Sequence, residues 1–333
     1  MSNFVDIALL AFLALVALAV TRTLNLFATV ALTGIYSLLM ASIFTTLDAV
    51  DVAFTEAAVG AGISTVLFLA TMALTTSHEK PHHHHNWAAI MATLITGSAL
   101  VYGTLDMPHF GDPQAPIHQH VAPHYIEISP NEIGVPNMVT SVLATYRGYD
   151  TLGETAVIFT ACMAVLLLLQ RDRRGGNRNV MAVPDADQRR GGQSMQHAMI
   201  LRVFSKFFIP LIFLFGLYVQ FHGDYGPGGG FQAGVIFASG FILYTLVFGL
   251  EKARQVIPPR TLQALVAFGL LLYAGTGIAT LVMGGQFLEY KALAHEATHG
   301  EHLGILFIEL GVGITVAAVM TTIFFTFAGR GRS

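Results

Sequence analysis

Residues 207–250 read FFIPLIFLFGLYVQFHGDYGPGGGFQAGVIFASGFILYTLVFGL, two apolar runs joined by a glycine-rich turn. The hydrocarbon core of a bilayer is ~30 Å thick, and a helix crosses it in roughly 17–25 apolar residues. The second run, 231–250, meets that length; the first, 207–221, is short, but its flanks suit a span. The segment between them is too tight for an ordinary soluble loop. A turn alone needs one or two glycines, and this one has Gly223, Gly226, Gly228, Gly229 and Gly230, with Pro227 among them. No Lys-Ser/Thr follows and no strand precedes, so a phosphate-binding P-loop is excluded. What remains is backbone at the membrane edge, able to turn amides or carbonyls toward a cavity where protein covers it. His222 and Asp224 place titratable groups beside it.

Outward from this hairpin, composition tells the same story. Hydrophobic residues make up 54% of the chain and charged residues 11%, against about 25% charged in soluble domains. So few charges cannot cover a water-facing surface. Further apolar runs stand at 4–20, 26–47, 52–74, 87–105, 151–169, 261–283 and 303–328. The expected fold is therefore an all-α integral membrane protein of about nine transmembrane helices. The first run carries Asp6 in its leading segment and no Lys or Arg there, which argues against a signal peptide.

Charge placement orients the bundle. With residues 171–206 in the cytoplasm and the chain threaded outward both ways, 15 of the 17 basic residues fall on the cytoplasmic side; Arg147 and Lys291 are the exceptions. This positive-inside bias predicts the N-terminus outside and the C-terminus cytoplasmic. The net charge of -3 suggests no nucleic-acid partner.

The linker also divides the chain. Between Gln170 and Ile200 it is rich in Gly, Arg and Asp and has no apolar periodicity, as expected of a joint between a five-helix and a four-helix module. Residues 106–136 carry several prolines and histidines and are expected on the outer face, dipping back toward the membrane.

The acidic residues carry the chemistry, because an ionisable side chain inside a span is costly and marks an ion or proton path. Asp51 and Glu56 open the third span, with Gly60 and Gly62 just below, where glycines permit close packing or a local backbone distortion. Asp150 and Glu154 open the fifth span, and Arg147 is placed to pair with Asp150. Glu309 lies about two turns below His302 in the last span, above Gly311 and Gly313. All are expected in the outer half of the membrane, with His222 and Asp224 near its surface. Asp51 and Asp150 equally suit helix N-caps. Glu56, Glu154 and Glu309 lie too deep for simple capping, which favours an ion path.

Metal and redox chemistry find little support. Cys162 is the single cysteine, so an internal disulfide and a multi-cysteine cluster are excluded. The run His82–His85 has no Cys or acidic cage near it, and His109, His118, His120 and His124 are irregularly spaced. His295, His299 and His302 have helix-face spacing, which suits a proton relay or a structural role better than zinc. No metal and no cofactor are expected, and no nucleotide motif or nucleophile constellation suggests an independent enzyme.

The stretch from His222 to Gly234 resembles the signature of the MnhB/MrpB family, one of the membrane components of multisubunit Na⁺/H⁺ antiporters. The segment around Asp51, Thr55 and Glu56 resembles the MbhD-like module, and Arg147-Gly-Tyr-Asp-Thr-Leu-Gly-Glu154 the MbhE-like module. The resemblance implies an MbhD-like module over 1–80, an MbhE-like module over 81–170, a linker over 171–200 and an MnhB-like module over 201–333. It implies a multi-pass cell (inner) membrane component of a Mrp-type antiporter moving Na⁺ and H⁺, with fourteen-helix antiporter-like partners and membrane lipid around it. The large antiporter-like domain that precedes the MbhD module in the family's largest chain is missing, and no intramembrane lysine is present. The chain alone is therefore not expected to complete antiport. The alternatives are a proton-coupling component of a complex-I-like or membrane-bound hydrogenase-type complex, or a scaffold between antiporter units.

Overall fold

The computed structural model describes residues 2–79, 87–174 and 199–330, with side chains described for 4–79, 87–169 and 199–330. The His82–His85 run and most of the 171–200 linker lie outside them. Nine helices among the described residues are long and apolar enough to cross a membrane. They are α1 Ser2–Arg22, α2 Leu26–Thr46, α3 Val50–Met72, α4 Trp87–Thr104, α5 Gly148–Arg174, α6 Met199–His222, α7 Gly230–Phe248, α8 Pro259–Val282 and α9 Ala297–Arg330. The chain is a multi-pass membrane protein.

Helix starts follow local chemistry. Asn25 caps α2, its side chain accepting from the Phe27 and Ala28 amides at 2.9 and 3.2 Å. Pro259 opens α8 at a position where its missing N–H costs nothing. Helix α3 loosens to π geometry over Ala57–Ile63, the stretch holding Gly60 and Gly62, so the expected backbone distortion is present. Several helices run past the apolar windows, α5 among them, which spans Gly148–Arg174. Helix α6, described from Met199, takes in Arg202 and Lys206 ahead of the apolar run, and α9 begins at Ala297 and so takes in Glu301.

Helix α9 is the hub, packed against α8, α7 and α5 and touching the end of α3. Close approach explains the choice of residues. A side chain at Gly234 of α7 would strike the Gly313 carbonyl and Val316 of α9, and one at Gly269 of α8 would strike Thr315. In lipid, helices gain little from burying apolar surface, so backbone approach through small residues does the packing. Val235, Ala238, Tyr273, Ile305, Val316 and Val319 fill the resulting core.

The ends of the bundle differ in kind. At one, Arg202 lies 5.6 Å from the centroid of the Phe248 ring and Arg254 reaches Gly329. At the other, residues 116–146 form short α- and π-helical turns that fold back onto the bundle. Ile133 and Val135 there are 1% and 0% exposed, so this segment is packed into the bundle. Helix α4 stands apart: all 18 of its residues are exposed.

Candidate functional site at the glycine loop

The turn between α6 and α7 is closed by its own backbone. The Tyr225 and Gly226 amides donate to the His222 carbonyl at 2.9 and 3.0 Å, and the Gly229 amide donates to the Val219 carbonyl at 3.0 Å. Gly229 has φ +110°, a conformation that only glycine adopts cheaply. Helix α7 starts immediately after it, so the positive end of a 19-residue helix faces the loop.

Carboxylates gather at that end. Glu309 of α9 presses its Oε1 against Gly223 and Gly229, where an added Cβ would lie 3.2 and 3.0 Å from it. Asp51, in the first turn of α3, lies near Gly228 and Asn137. Asp51 and Asp224 both lie within electrostatic range of Glu309. Asp224 Oδ2 is 3.5 Å from His302 Nδ1. Burial pushes the Asp224 carboxyl above the ordinary carboxylate range, and His302 pulls it partly back.

Two residues absent from the sequence expectation hold the loop. Asn137 Nδ2 donates to the Gly223 and Gly226 carbonyls, both at 3.0 Å, and its backbone amide donates to the Asp224 carbonyl at 3.0 Å. Thr140 Oγ1 donates to the Gly223 carbonyl at 2.6 Å. The Asn137 Oδ1 also caps the next helical turn, accepting from the Val139 amide at 3.0 Å. The one available signal, an Asn after Pro136 and before an apolar run, reads as that cap alone. Gln232 of α7 donates to Thr55 of α3 at 2.9 Å, tying the third span to the seventh.

The other expected site residues are placed differently. The Glu56 carboxylate folds down over Gly60, beside Ser37 of α2, one turn below Asp51. His222 stacks on Tyr218 with ring centroids 5.0 Å apart. With Pro227 it borders an open, mostly apolar groove of about 510 Å³ lined by Thr45, Ala53 and Ala57. Asp150 pairs with Arg147 at 2.5 Å, as the sequence suggests. Glu154 is exposed on the surface of α5.

A second polar cluster sits on the loops at the same end of the bundle. Glu132 accepts from Tyr146 at 2.7 Å and Lys291 at 3.2 Å, and these bonds hold its carboxyl below the usual range. Burial and the Glu132 bond push the Tyr146 hydroxyl upward. Glu301, 2% exposed, accepts from Thr145 at 3.2 Å. The sequence reading missed it because the apolar window began after it. Among the described residues no group of three or more His, Cys, Asp or Glu could hold a metal ion.

Comparison with known proteins assigns the chain. Residues 200–322 match the model of a domain related to the MnhB subunit of Na⁺/H⁺ antiporter; 11–77 match the MbhD model and 94–188 the MbhE model, both of MBH subunits. A putative antiporter subunit mnhB2 of Staphylococcus haemolyticus is 35% identical over 141 residues, 41% of this chain and 99% of that protein. A probable A/B subunit of a K⁺/H⁺ antiporter from Rhizobium meliloti is 28% identical over 53% of this chain, which spans only 19% of that protein. Among solved structures, the Mrp complex from Dietzia sp. contains a chain with TM-score 0.74 and 26% identity, covering 98% of this chain and 35% of that one. A chain of the archaeal membrane-bound sulfane sulfur reductase gives 0.53 and 29%, covering 72% and 97%. The chain belongs to the MnhB family of antiporter subunits.

Proposed function

We propose that this chain is a membrane subunit of a Mrp-type Na⁺/H⁺ antiporter, and that Asp51, Asp224 and Glu309 line its ion and proton path. The observation that carries the proposal is the convergence of these three carboxylates, from α3, the loop and α9, on the positive end of α7. Like-charged groups in low dielectric cannot all stay ionised without a counter-charge. A proton or a monovalent cation supplies that charge, and exchanging one for the other is the elementary step of antiport. The backbone amides at the start of α7 temper the repulsion and leave room for either occupant. Asp150, Glu154, Glu56 and His222 then extend the path or meet partner subunits, Glu154 because its side chain faces out of the chain. The MbhD- and MbhE-like regions suit contact with fourteen-helix antiporter-like subunits. The glycine loop faces the outer side of the cell membrane, with the C-terminus cytoplasmic.

A second reading, a coupling role in a redox-driven complex, draws on the likeness to the sulfane sulfur reductase chain. Purifying the native complex and identifying its subunits separates the two. Fourteen-helix antiporter-like chains without redox subunits are the expected result. Iron–sulfur or flavin subunits in stoichiometric amounts would overturn it in favour of the second reading.

A further inference from the structure

We infer that Asn137 is a positioning residue for cation binding: with Thr140, it fixes the glycine loop against Asp51 and so sets how tightly Na⁺ is held. The inference rests on the reading of Asp51, Asp224 and Glu309 as the ion path. Asn137 is 9% exposed and engages three parts of the molecule at once. Its Nδ2 spans the Gly223 and Gly226 carbonyls at 3.0 Å each, its amide holds the Asp224 carbonyl at 3.0 Å, and Asp51 lies near it.

The consequence is chemical as well as mechanical. The Gly223 carbonyl takes two donors, Asn137 Nδ2 and Thr140 Oγ1, and the Gly226, Asp224, His222 and Val219 carbonyls each take at least one. The Gly223 and His222 oxygens have both lone pairs engaged by two donors each and the other three have one engaged, which weakens all five as cation ligands. The loop therefore offers its carbonyls to the fold and its Gly228 amide to Asp51. Cation binding is left to the carboxylates, whose spacing the loop dictates through Gly223 and Gly229 against Glu309. Releasing Asn137 frees the loop to drift from Asp51, so the carboxylates lose their fixed spacing and hold the cation less tightly. Affinity changes before assembly does.

The test uses the full chain with its partner subunits in everted vesicles, with Na⁺ as the probe and a pH-sensitive dye as readout. Asn137→Ser keeps an N-capping oxygen and the overall neutrality but cannot reach the two carbonyls. The expected result is an assembled complex whose half-saturating Na⁺ rises about tenfold, with the maximal rate within about twofold of the parent. Thr140→Val, which removes one donor at constant shape, should raise it about threefold, and Thr140→Ser should recover most of that loss. An unchanged half-saturating Na⁺ in assembled Asn137→Ser, or a fall in maximal rate alone, would overturn the inference. If that variant does not assemble, the Thr140 pair decides, and identical Na⁺ dependence in Val and Ser overturns it. Glu309→Gln is measured in parallel. Exchange lost there and Asn137→Ser silent rejects only the positioning role; exchange intact in Glu309→Gln rejects the underlying path.

Discussion

Helices α7 and α9 bury 56% of their most apolar windows inside the chain, whereas α1 and α4 bury none of theirs. In water that contrast would mean that α1 and α4 were misplaced. In lipid an exposed apolar helix costs nothing, so burial reports where helices were brought together for a reason other than hiding apolar surface. The reason is visible in what the two buried helices carry. Glu309 sits on α9, α7 offers its N-terminus, and glycines at 230, 234 and 313 let the two backbones approach. The most tightly packed pair of helices is the pair that brings Glu309 onto the glycine loop. The exposed half is surface for lipid or neighbouring subunits.

That contrast can be broken most severely by filling the packed interface. A side chain at Gly304 would enter the Tyr290 ring, so Gly304→Val should abolish assembly on native gels. Overpacking of this kind costs about 1–3 kcal/mol or more. At Gly97 of α4 an added Cβ meets nothing within 4 Å, so Gly97→Val should leave the isolated chain as stable as the parent. A smaller effect is expected from the acids. Asp51→Asn should slow Na⁺-driven proton movement about tenfold, while Glu154→Gln, exposed on α5, should slow it less unless a partner covers that face. Equal losses would mean that burial within this chain does not rank the carboxylates.

Asp224 sharpens the comparison through pH. Its carboxyl is held above the ordinary range by burial, so its ionised form, paired with His302, is lost as pH falls through a pKa higher than that of an exposed aspartate. Na⁺ affinity of the parent should therefore weaken on acidification earlier than an ordinary carboxylate would dictate. Asp224→Asn should show the weakened affinity across the whole range, with that acid limb missing; a profile parallel to the parent's would refute the assignment. The smallest effect concerns Trp87, the single tryptophan, 72% exposed at the start of α4. If α4 is a docking face, quenching of Trp87 by brominated lipid should fall when the complex assembles. Unchanged quenching would assign the face to lipid.

Much of this was legible in the sequence. Spans of hydropathy need no tertiary information, and all nine among the described residues were readable, with the largest boundary errors where charged residues such as Arg202, Lys206, Glu301 or Arg174 extend a helix past its apolar stretch. Glu309 was readable because a charge in such a run has few innocent explanations. The glycine loop was readable as unusual, but not as a cradle for that carboxylate, since the contact joins segments far apart in the chain. Depth along a helix grouped Glu56, Glu154 and Glu309, yet depth says nothing about azimuth. The fold turns Glu309 onto the loop, Glu56 toward Ser37 and Glu154 outward. Asn137 and Thr140 escaped because their partners lie 83 or more residues away and their local pattern is an ordinary helix start. Neutral side chains that organise a site leave no trace in charge or hydropathy.

The most direct test of the account is Na⁺-driven proton movement in vesicles carrying Glu309→Gln, with assembly checked on native gels. Gln keeps the size and hydrogen-bonding capacity of the side chain and removes its charge, so the helix packing around Gly223 and Gly229 is retained. The account predicts an assembled complex whose exchange falls about a hundredfold. An assembled complex exchanging Na⁺ for H⁺ at the parent rate and affinity would contradict it.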